Sequence, residues 1–348
     1  MVGFLLFGPA VFPAQAAFTN LYVFGDGIST TTNNTGGQPN LYYGKRYSNG
    51  RVWVEVLAQR QGLTLYPTNN WSYFFNTSTT MLASLSSFHS NATNALVVIW
   101  VNCADLWYPA TYSETSMSQW TNAINQSQTN HYKAATNLYF AKGVRTLIMP
   151  NAVDVSTIPE FNTSVNVNFI HLRCLDYNIA FSNTLNRIRA SCPNLTLYAP
   201  DFFTLLTNML AYPANYGLTN ALENGKSIDA IDGLANAATN GPGTNYIFWN
   251  INNPTAMVHM WMGNLAQQLI SPVQISNIAA FNGSNRLDMA NVPIGQNGLV
   301  LGRTNLILGN WTTNVNFSST NAAQSVFVPA SGPVGFYRLK FLYSWTWP

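Results

Sequence analysis

The sequence predicts an α/β chain in which helices cover both faces of a parallel sheet, followed by a small all-β module. Three observations predict it. Four short, unbroken apolar runs alternate with longer segments, the clearest of those segments has helical spacing, and after about residue 271 the pattern changes to brief β-like runs between turn signals. Strands buried on both faces read as continuous apolar runs. Their alternation with helices is the mark of parallel βαβ units.

The first run, residues 19–24, is β-rich and meets Gly25-Asp26-Gly27, a strand ending in a tight turn. The second, residues 95–101, ends at Asn102-Cys103-Ala104-Asp105. The third, residues 144–149, ends at Pro150-Asn151, and the fourth, residues 195–199, ends at Pro200-Asp201. The helix is expected over residues 167–190, where Phe169, Leu172, Tyr177, Phe181, Leu185 and Ile188 recur every three to five residues until Ser191-Cys192-Pro193 stops it. Ligands of such sheets sit beyond the carboxyl ends of the strands, where Asp26, Asp105, Asn151 and Asp201 fall. The module is expected over residues 272–348. Its runs at 273–278, 299–301, 326–328 and 336–341, separated by Asn-Gly, Pro and Gly, read as a small sandwich. Thr304-Asn305-Leu306, Asn310-Trp311-Thr312 and Phe336-Tyr337-Arg338-Leu339 resemble β-modules at the C-termini of secreted bacterial proteins. The tail from Tyr343 to Pro348 is a final strand or an exposed aromatic anchor, the strand being preferred.

Charged residues are only 8% of the 348, against about 25% in an ordinary soluble domain. The surface is therefore polar but neutral. A net charge of +3 with no basic stripe gives no electrostatic support for binding nucleic acid or an anionic membrane. No stretch has ~18 uninterrupted apolar residues, so no membrane span is expected. Residues 1–16 are apolar and end in Ala14-Gln15-Ala16, a small-x-small pattern that reads as a signal peptide, although no basic residue precedes Lys45. The alternatives are a buried N-terminal strand or a misplaced start. A secreted or bacterial cell-surface location and a monomer are expected. Cys174 and Cys192 lie along one predicted helix, roughly 27 Å apart at ~1.5 Å per residue. A disulfide needs about 4.4–6.8 Å between Cα atoms, so no bridge between them is expected. Scattered Cys and His residues resemble no zinc site, and no metal or cofactor is expected.

From about residue 20 to residue 270 several blocks together resemble the SGNH/GDSL hydrolases. Tyr22-Val23-Phe24-Gly25-Asp26-Gly27-Ile28-Ser29 looks like the Gly-Asp-Ser block that names the family. Arg46-Tyr47-Ser48-Asn49-Gly50 looks like its Arg-x-Ser-Asn-Gly stretch, continued by residues 52–58. Gly143-Val144-Arg145-Thr146 and Tyr212-Pro213-Ala214-Asn215-Tyr216-Gly217 fall where the family has a strand and a loop. Phe248-Trp249-Asn250-Ile251-Asn252-Asn253-Pro254-Thr255 resembles Phe-Trp-Asp-x-x-His-Pro-Thr. The resemblance implies a flavodoxin-like three-layer fold over residues 17–271. It also implies an esterase or lipase mechanism: a Ser nucleophile, a His that takes its proton, an Asp that orients the His, and three hydrogen-bond donors to the oxyanion.

Carried over residue by residue, that machinery is missing. The nucleophile position is Gly27. The Asp and His positions are Asn250 and Asn253. The second oxyanion donor, Gly in the family, falls on Phe75 within Trp71-Ser72-Tyr73-Phe74-Phe75. The third, an Asn side chain, falls on Ala104. Four other residues are candidates for a residual site: Asp26, Thr30, Asp105 and His259. Thr30, like Ser29, follows Gly27 closely, and both read mainly as padding for the turn. His259 lies six residues beyond Asn253, rotated ~240° and ~9 Å along a helix, and reads as a packing residue. Asp26 is expected to accept from its own turn's amides and Asp105 to cap the next helix. The alternative is that the two carboxylates share one cleft for acid–base chemistry. His89, His131 and His171 lie outside every motif.

The leading expectation is therefore a secreted, catalytically inactive relative that binds an ester or carbohydrate, with Trp71, Tyr73, Phe74 and Phe75 either lining the cleft or packing in the core. The alternatives are an active esterase with relocated residues and a structural or adhesive surface protein working through its C-terminal module.

Overall fold

In a computed structural model of the chain, the residues described are 18–342 except 35–37, 39, 90, 113–114, 219–221, 224, 306–307 and 331–334. The expected signal peptide and the aromatic tail lie outside them. The chain forms two compact units, one of Phe18–Ala58 with Leu63–Leu269, the other of Gln59–Gly62 with residues from Ile270 onward.

The first unit is built on a parallel sheet of β1 (Asn20–Gly25), β2 (Ala95–Trp100), β3 (Thr146–Ile148) and β4 (Thr196–Tyr198), in that spatial order. Every residue of β2, and all but the first of β1, is buried, which is why these runs are apolar without alternation. Beyond β1, Asn70 forms an isolated parallel bridge to Val23, and the Trp71 N–H donates to the Val23 carbonyl at 2.8 Å. With this edge segment as the second strand, the order is 2-1-3-4-5, the flavodoxin-like arrangement.

The connections supply α1 (Trp53–Arg60), α2 (Ser78–Ser84), α3 (Asn102–Tyr112), α4 (Met117–Lys142), α5 (Val167–Ser191), α6 (Phe202–Ala211), the single turn α7 (Ala230–Gly233) and α8 (Ala256–Ile270). One sheet face carries α1 and α6, where Trp53, Trp100 and Phe202 meet edge to face at 5.0–5.7 Å. Gly263 of α8 lets that helix approach α1, since a Cβ there would fall 2.7 Å from Val56 Cγ1. On the other face Tyr22 and Phe24 pack against Phe88 and Trp71, and α2, α4 and α5 pack in succession. A short antiparallel pair, β5 (Leu222–Glu223) and β6 (Lys226–Ser227), sits in the loop before α7. All three cysteines are free and buried.

The second unit has two antiparallel three-stranded sheets. One is β11–β8–β7 and the other β10–β9–β12, with β7 Gln274–Phe281, β8 Ser284–Ala290, β9 Asn297–Arg303, β10 Thr312–Ser318, β11 Gln324–Pro329 and β12 Phe336–Leu342. Leu287, Met289, Val300, Val326 and Val328 from both sheets form one core. Asn282-Gly283, both at positive φ, make the tight turn between β7 and β8.

Candidate functional site

The site is built where β1 and β2 end. Gly25 closes β1 because a Cβ there would meet Ser29 Cβ at 2.6 Å and Ser72 Oγ at 2.7 Å. The chain then turns through one 3-10 turn, Gly27–Ser29, with Asp26 as its cap: Oδ1 accepts from the Ile28 N–H at 3.0 Å. The other oxygen, Oδ2, is buried and makes no hydrogen bond of ordinary geometry. Burial pushes the Asp26 carboxyl up to about 7; the Ile28 and Ala104 amides oppose this and the Asp105 charge adds to it.

Gly27, Phe75, Ala104 and Asn253 all line one open pocket of about 510 Å³ counting its mouth, together with Asp26 and Trp107. The space over Gly27 is taken by a phenyl ring. A Cβ on Gly27 would lie 3.0 Å from Phe74 Cδ2 and 3.4 Å from Phe74 Cα. Phe75 adopts φ +65°, a left-handed backbone that favours glycine. Its ring stands edge-on to Phe74 at 4.3 Å and to Trp107 at 4.6 Å. Two asparagines pin this turn: Asn33 Oδ1 accepts from the Phe74 N–H, and Asn76 Nδ2 donates to the Gly25 and Trp71 carbonyls. The aromatic run divides accordingly. Trp71 stacks on Phe24 in the core at 5.0 Å, while Phe74 and Phe75 form pocket wall.

Asn250 and Asn253 are tied to each other. Asn250 Oδ1 accepts from the Asn253 N–H at 2.8 Å, from the Asn253 side-chain amide at 3.1 Å and from the Asn252 N–H at 3.0 Å. Only Asn253 reaches the pocket. The Arg46–Gly50 block serves this loop: Ser48 Oγ donates to the Pro254 carbonyl and Asn49 Oδ1 accepts from Ala256 N–H at the start of α8.

Of the four residues weighed as a residual site, Asp26 alone lines the pocket. Thr30 turns its hydroxyl to the Asn33 and Thr32 amides, and Ser29 accepts from the Trp53 indole N–H. His259 is buried; its Nδ1 accepts from the Trp53 N–H at the start of α1, and burial lowers its pKa to about 3. Asp105 sits inside the first turn of α3, so it does not cap that helix. It points away from the pocket and accepts from Ser78 N–H at 2.8 Å, supplying α2 with the side-chain cap that Thr77 does not provide. Asp26 and Asp105 therefore form no paired acid–base site.

Sequence reasoning missed a polar cluster behind Asp105. Ser127 Oγ donates to Asp105 Oδ2 and lies 2.7 Å from Tyr177 OH and 3.3 Å from His131 Nδ1. Spacing i, i+4 on α4 was the available signal. This is not a nucleophile–base pair. The hydroxyl proton is committed to Asp105, and His131 Nδ1 faces the Ser127 carbonyl at 2.8 Å, so that nitrogen carries the hydrogen. Ser127 and His131 are buried and Asp105 is half-buried; desolvation lowers His131 to about 4 and raises Asp105 to about 6. His171 pairs with the Asp154 cap at 2.5 Å outside the pocket. Cys103 does line the pocket, but burial and the nearby Asp26 charge raise its thiol well above the ordinary range, leaving it protonated. Among the described residues no group of three His, Cys, Asp or Glu is placed to hold a metal, and no helix is long and apolar enough to cross a membrane.

No family model matches the chain. A curated relative, the thermolabile hemolysin of Vibrio parahaemolyticus, is 20% identical over 240 residues, 64% of this chain and 56% of the hemolysin. The chain thus spans little more than half the length of that relative. Similar solved structures include a lipase from a goat rumen metagenome (TM-score 0.45, 10% identity, covering 72% of this chain and 97% of the lipase) and an acetylxylan esterase from Geobacillus stearothermophilus (0.40, 14%, 73% and 94%). A lipolytic protein of the G-D-S-L family from Desulfitobacterium hafniense is similar at 0.39, 12%, 72% and 99%.

Proposed function

We propose that this chain is a secreted or surface-located protein of the SGNH/GDSL type that binds an ester or carbohydrate ligand in the pocket lined by Gly27, Phe74 and Trp107 without hydrolysing it. The observation that carries the reading is the Phe74 ring packed against Gly27, where relatives of this type present a serine hydroxyl. The neutral Asn250–Asn253 pair supports it, since neither amide takes a proton near neutral pH. Loss of a triad leaves only ~10³–10⁴ of catalysis over water, and that remnant needs an intact oxyanion hole. Loss of one oxyanion donor removes a further ~10²–10³, and Ala104 has no side-chain donor to offer.

The test is hydrolysis of p-nitrophenyl acetate and butyrate by the purified protein. The expected rate equals that of buffer. A fivefold variant, Gly27→Ser, Phe74→Ala, Ala104→Asn, Asn250→Asp and Asn253→His, is expected to gain measurable turnover, because it removes the obstructing ring as well as restoring the missing groups. Turnover by the unmodified protein that disappears in Asp26→Asn or Cys103→Ala would overturn the reading. N-terminal sequencing of the exported protein tests secretion; an intact Met1 on exported material would refute cleavage after Ala16.

A further inference from the structure

The second unit gathers cations that are scattered along the sequence. In the sheet β10–β9–β12, Val300, Val315 and Leu339 pack into the core, so Leu299, Leu301 and Arg303 of β9 share the opposite face with Arg338 and Lys340 of β12. Arg338 pairs in register with Leu301 and Lys340 with Leu299. Trp311, just before β10, holds two of the cations together: the Arg338 guanidinium lies 4.5 Å from its ring centroid and the Arg303 guanidinium 5.3 Å. Arg338 and Lys340 are exposed and Arg303 is half-buried. Lys and Arg number only 15 in 348 residues, and residues 270–348 contain a single acid, Asp288. That carboxylate stands on the other sheet, where Asn277, Arg286 and Ser325 donate to it. No ion pair among the described residues involves Arg303, Arg338 or Lys340. Three like charges are thus set side by side with no carboxylate on their own sheet. Like charges repel, and an external anion relieves that repulsion.

We propose that this sheet face binds an anionic polysaccharide, its carboxylate or sulfate groups against Arg303, Arg338 and Lys340 and its hydroxyls in the adjoining groove. That groove, about 630 Å³ counting its mouth, is lined by Asn297, Leu299, Asn316 and Ser318 among others. Leu299 stands between Asn316 and Lys340 in register, which sets the groove beside the cations. Amides and a hydroxyl there offer both donors and acceptors to sugar hydroxyls, and the planar guanidinium fork matches a carboxylate. A lipid surface fits this face less well, because the large exposed apolar side chains on the unit's strands, Ile278, Phe281 and Phe327, belong to the other sheet. A single-stranded nucleic acid also fits less well. Its bases need a bare ring to stack on, and Trp311 already carries two guanidinium groups. The site belongs to the second unit and does not rest on the reading of the pocket lined by Gly27.

Surface plasmon resonance of the full chain over immobilised polygalacturonate, dextran sulfate and neutral dextran tests this. At least one of the two anionic polymers should retain the protein and dextran should not, and retention should weaken as salt rises above about 0.1 M. Arg338→Gln combined with Lys340→Gln should lower affinity about tenfold, and each substitution alone about two- to fivefold. Both side chains are exposed, and the single variants keep the test open if the double variant fails to fold. Arg286→Gln, which removes a cation from the other sheet, should bind as the parent does. No retention by either anionic polymer overturns the inference, as does equal retention by dextran. An equal loss in Arg286→Gln overturns it too, because net charge and not this face would then be read. Tighter binding to a thymidine oligonucleotide or to phosphatidylglycerol vesicles would assign the face to another partner and refute the polysaccharide. None of these results bears on ester binding or hydrolysis, which the p-nitrophenyl ester assay reads separately.

Discussion

Asp26→Asn is the perturbation that reports most directly on the site, because its effect has a defined pH window. The Asp26 carboxyl moves from an ordinary 3.8 to about 7 on folding, chiefly through burial. Between those two values the folded chain keeps a proton that the unfolded chain has released. Stability therefore falls as pH rises through this window, by about 1.4 kcal/mol per pH unit. Over roughly three units the loss reaches ~4 kcal/mol, and above pH 7 it stays constant. Below pH 4 the group is protonated in both states and contributes no slope. Asparagine retains the acceptor for the Ile28 N–H but cannot ionise. The variant's stability relative to the parent should thus climb by ~4 kcal/mol from pH 4 to pH 8, whatever its fixed cost or gain. Urea unfolding at each pH, followed by tryptophan fluorescence and far-UV dichroism, measures the difference. Contributions from His131 and His259 are common to both proteins and cancel, while the Asp105 charge, one of the smaller causes of the Asp26 shift, adds only a minor difference. A difference constant to within about 1 kcal/mol across the range, against the ~4 expected, would refute the placement of Asp26 in a dry pocket wall.

His259→Gln should show the opposite slope. The folded imidazole stays neutral down to about 3 while the unfolded one protonates near 6.5, so the parent loses up to ~5 kcal/mol as pH falls through that window and the variant does not; parallel acid-unfolding curves would contradict this. Phe75→Gly should be more stable than Phe75→Ala by about 1 kcal/mol, the reverse of the usual order, because φ +65° is open to glycine and strained for alanine; paired urea melts decide it. Gly27→Ala should cost about 1–3 kcal/mol through contact with Phe74, and most of that cost should vanish in a Phe74→Ala background; additive effects in the double-mutant cycle would mean that the ring does not press on Gly27.

Much of the scaffold was legible because its cause is local. Strands β1 and β2 are buried on both faces and therefore read as unbroken apolar runs, and α5 carries its buried stripe at Ile170, Cys174, Tyr177, Phe181 and Ile188. The sequence reading caught β7, β9, β11 and β12 but passed over β8 and β10. Those two mix Ser, Asn, Thr and Arg on one face with Leu287, Met289, Val315 and Phe317 on the other, and so few apolar residues fall below a composition-based signal. Motif spacing pointed to Gly27, Phe75, Ala104, Asn250 and Asn253, and the fold brings all of these but Asn250 to one pocket wall. What fills the space between them was not readable. Phe74 is set against Gly27 by Asn33, 41 residues away, which accepts from its N–H, and by Asn76 of the same turn, which reaches across to the Gly25 carbonyl. Asp105 was misassigned because its partners, Ser78 and Ser127, lie 27 and 22 residues away.

On the reading proposed above, the pocket differs from an SGNH/GDSL hydrolase site by additions as well as by omissions, and the additions constrain more. A missing hydroxyl, carboxylate or imidazole could each be supplied by one substitution. The turn through Phe74 and Phe75 could not be undone so simply, because its backbone is held by two buried or part-buried asparagine side chains and its rings pack on one another and on Trp107. Restoring Ser at position 27 alone would press its Cβ into a ring that has little room to withdraw. The same rings leave the mouth of the pocket open.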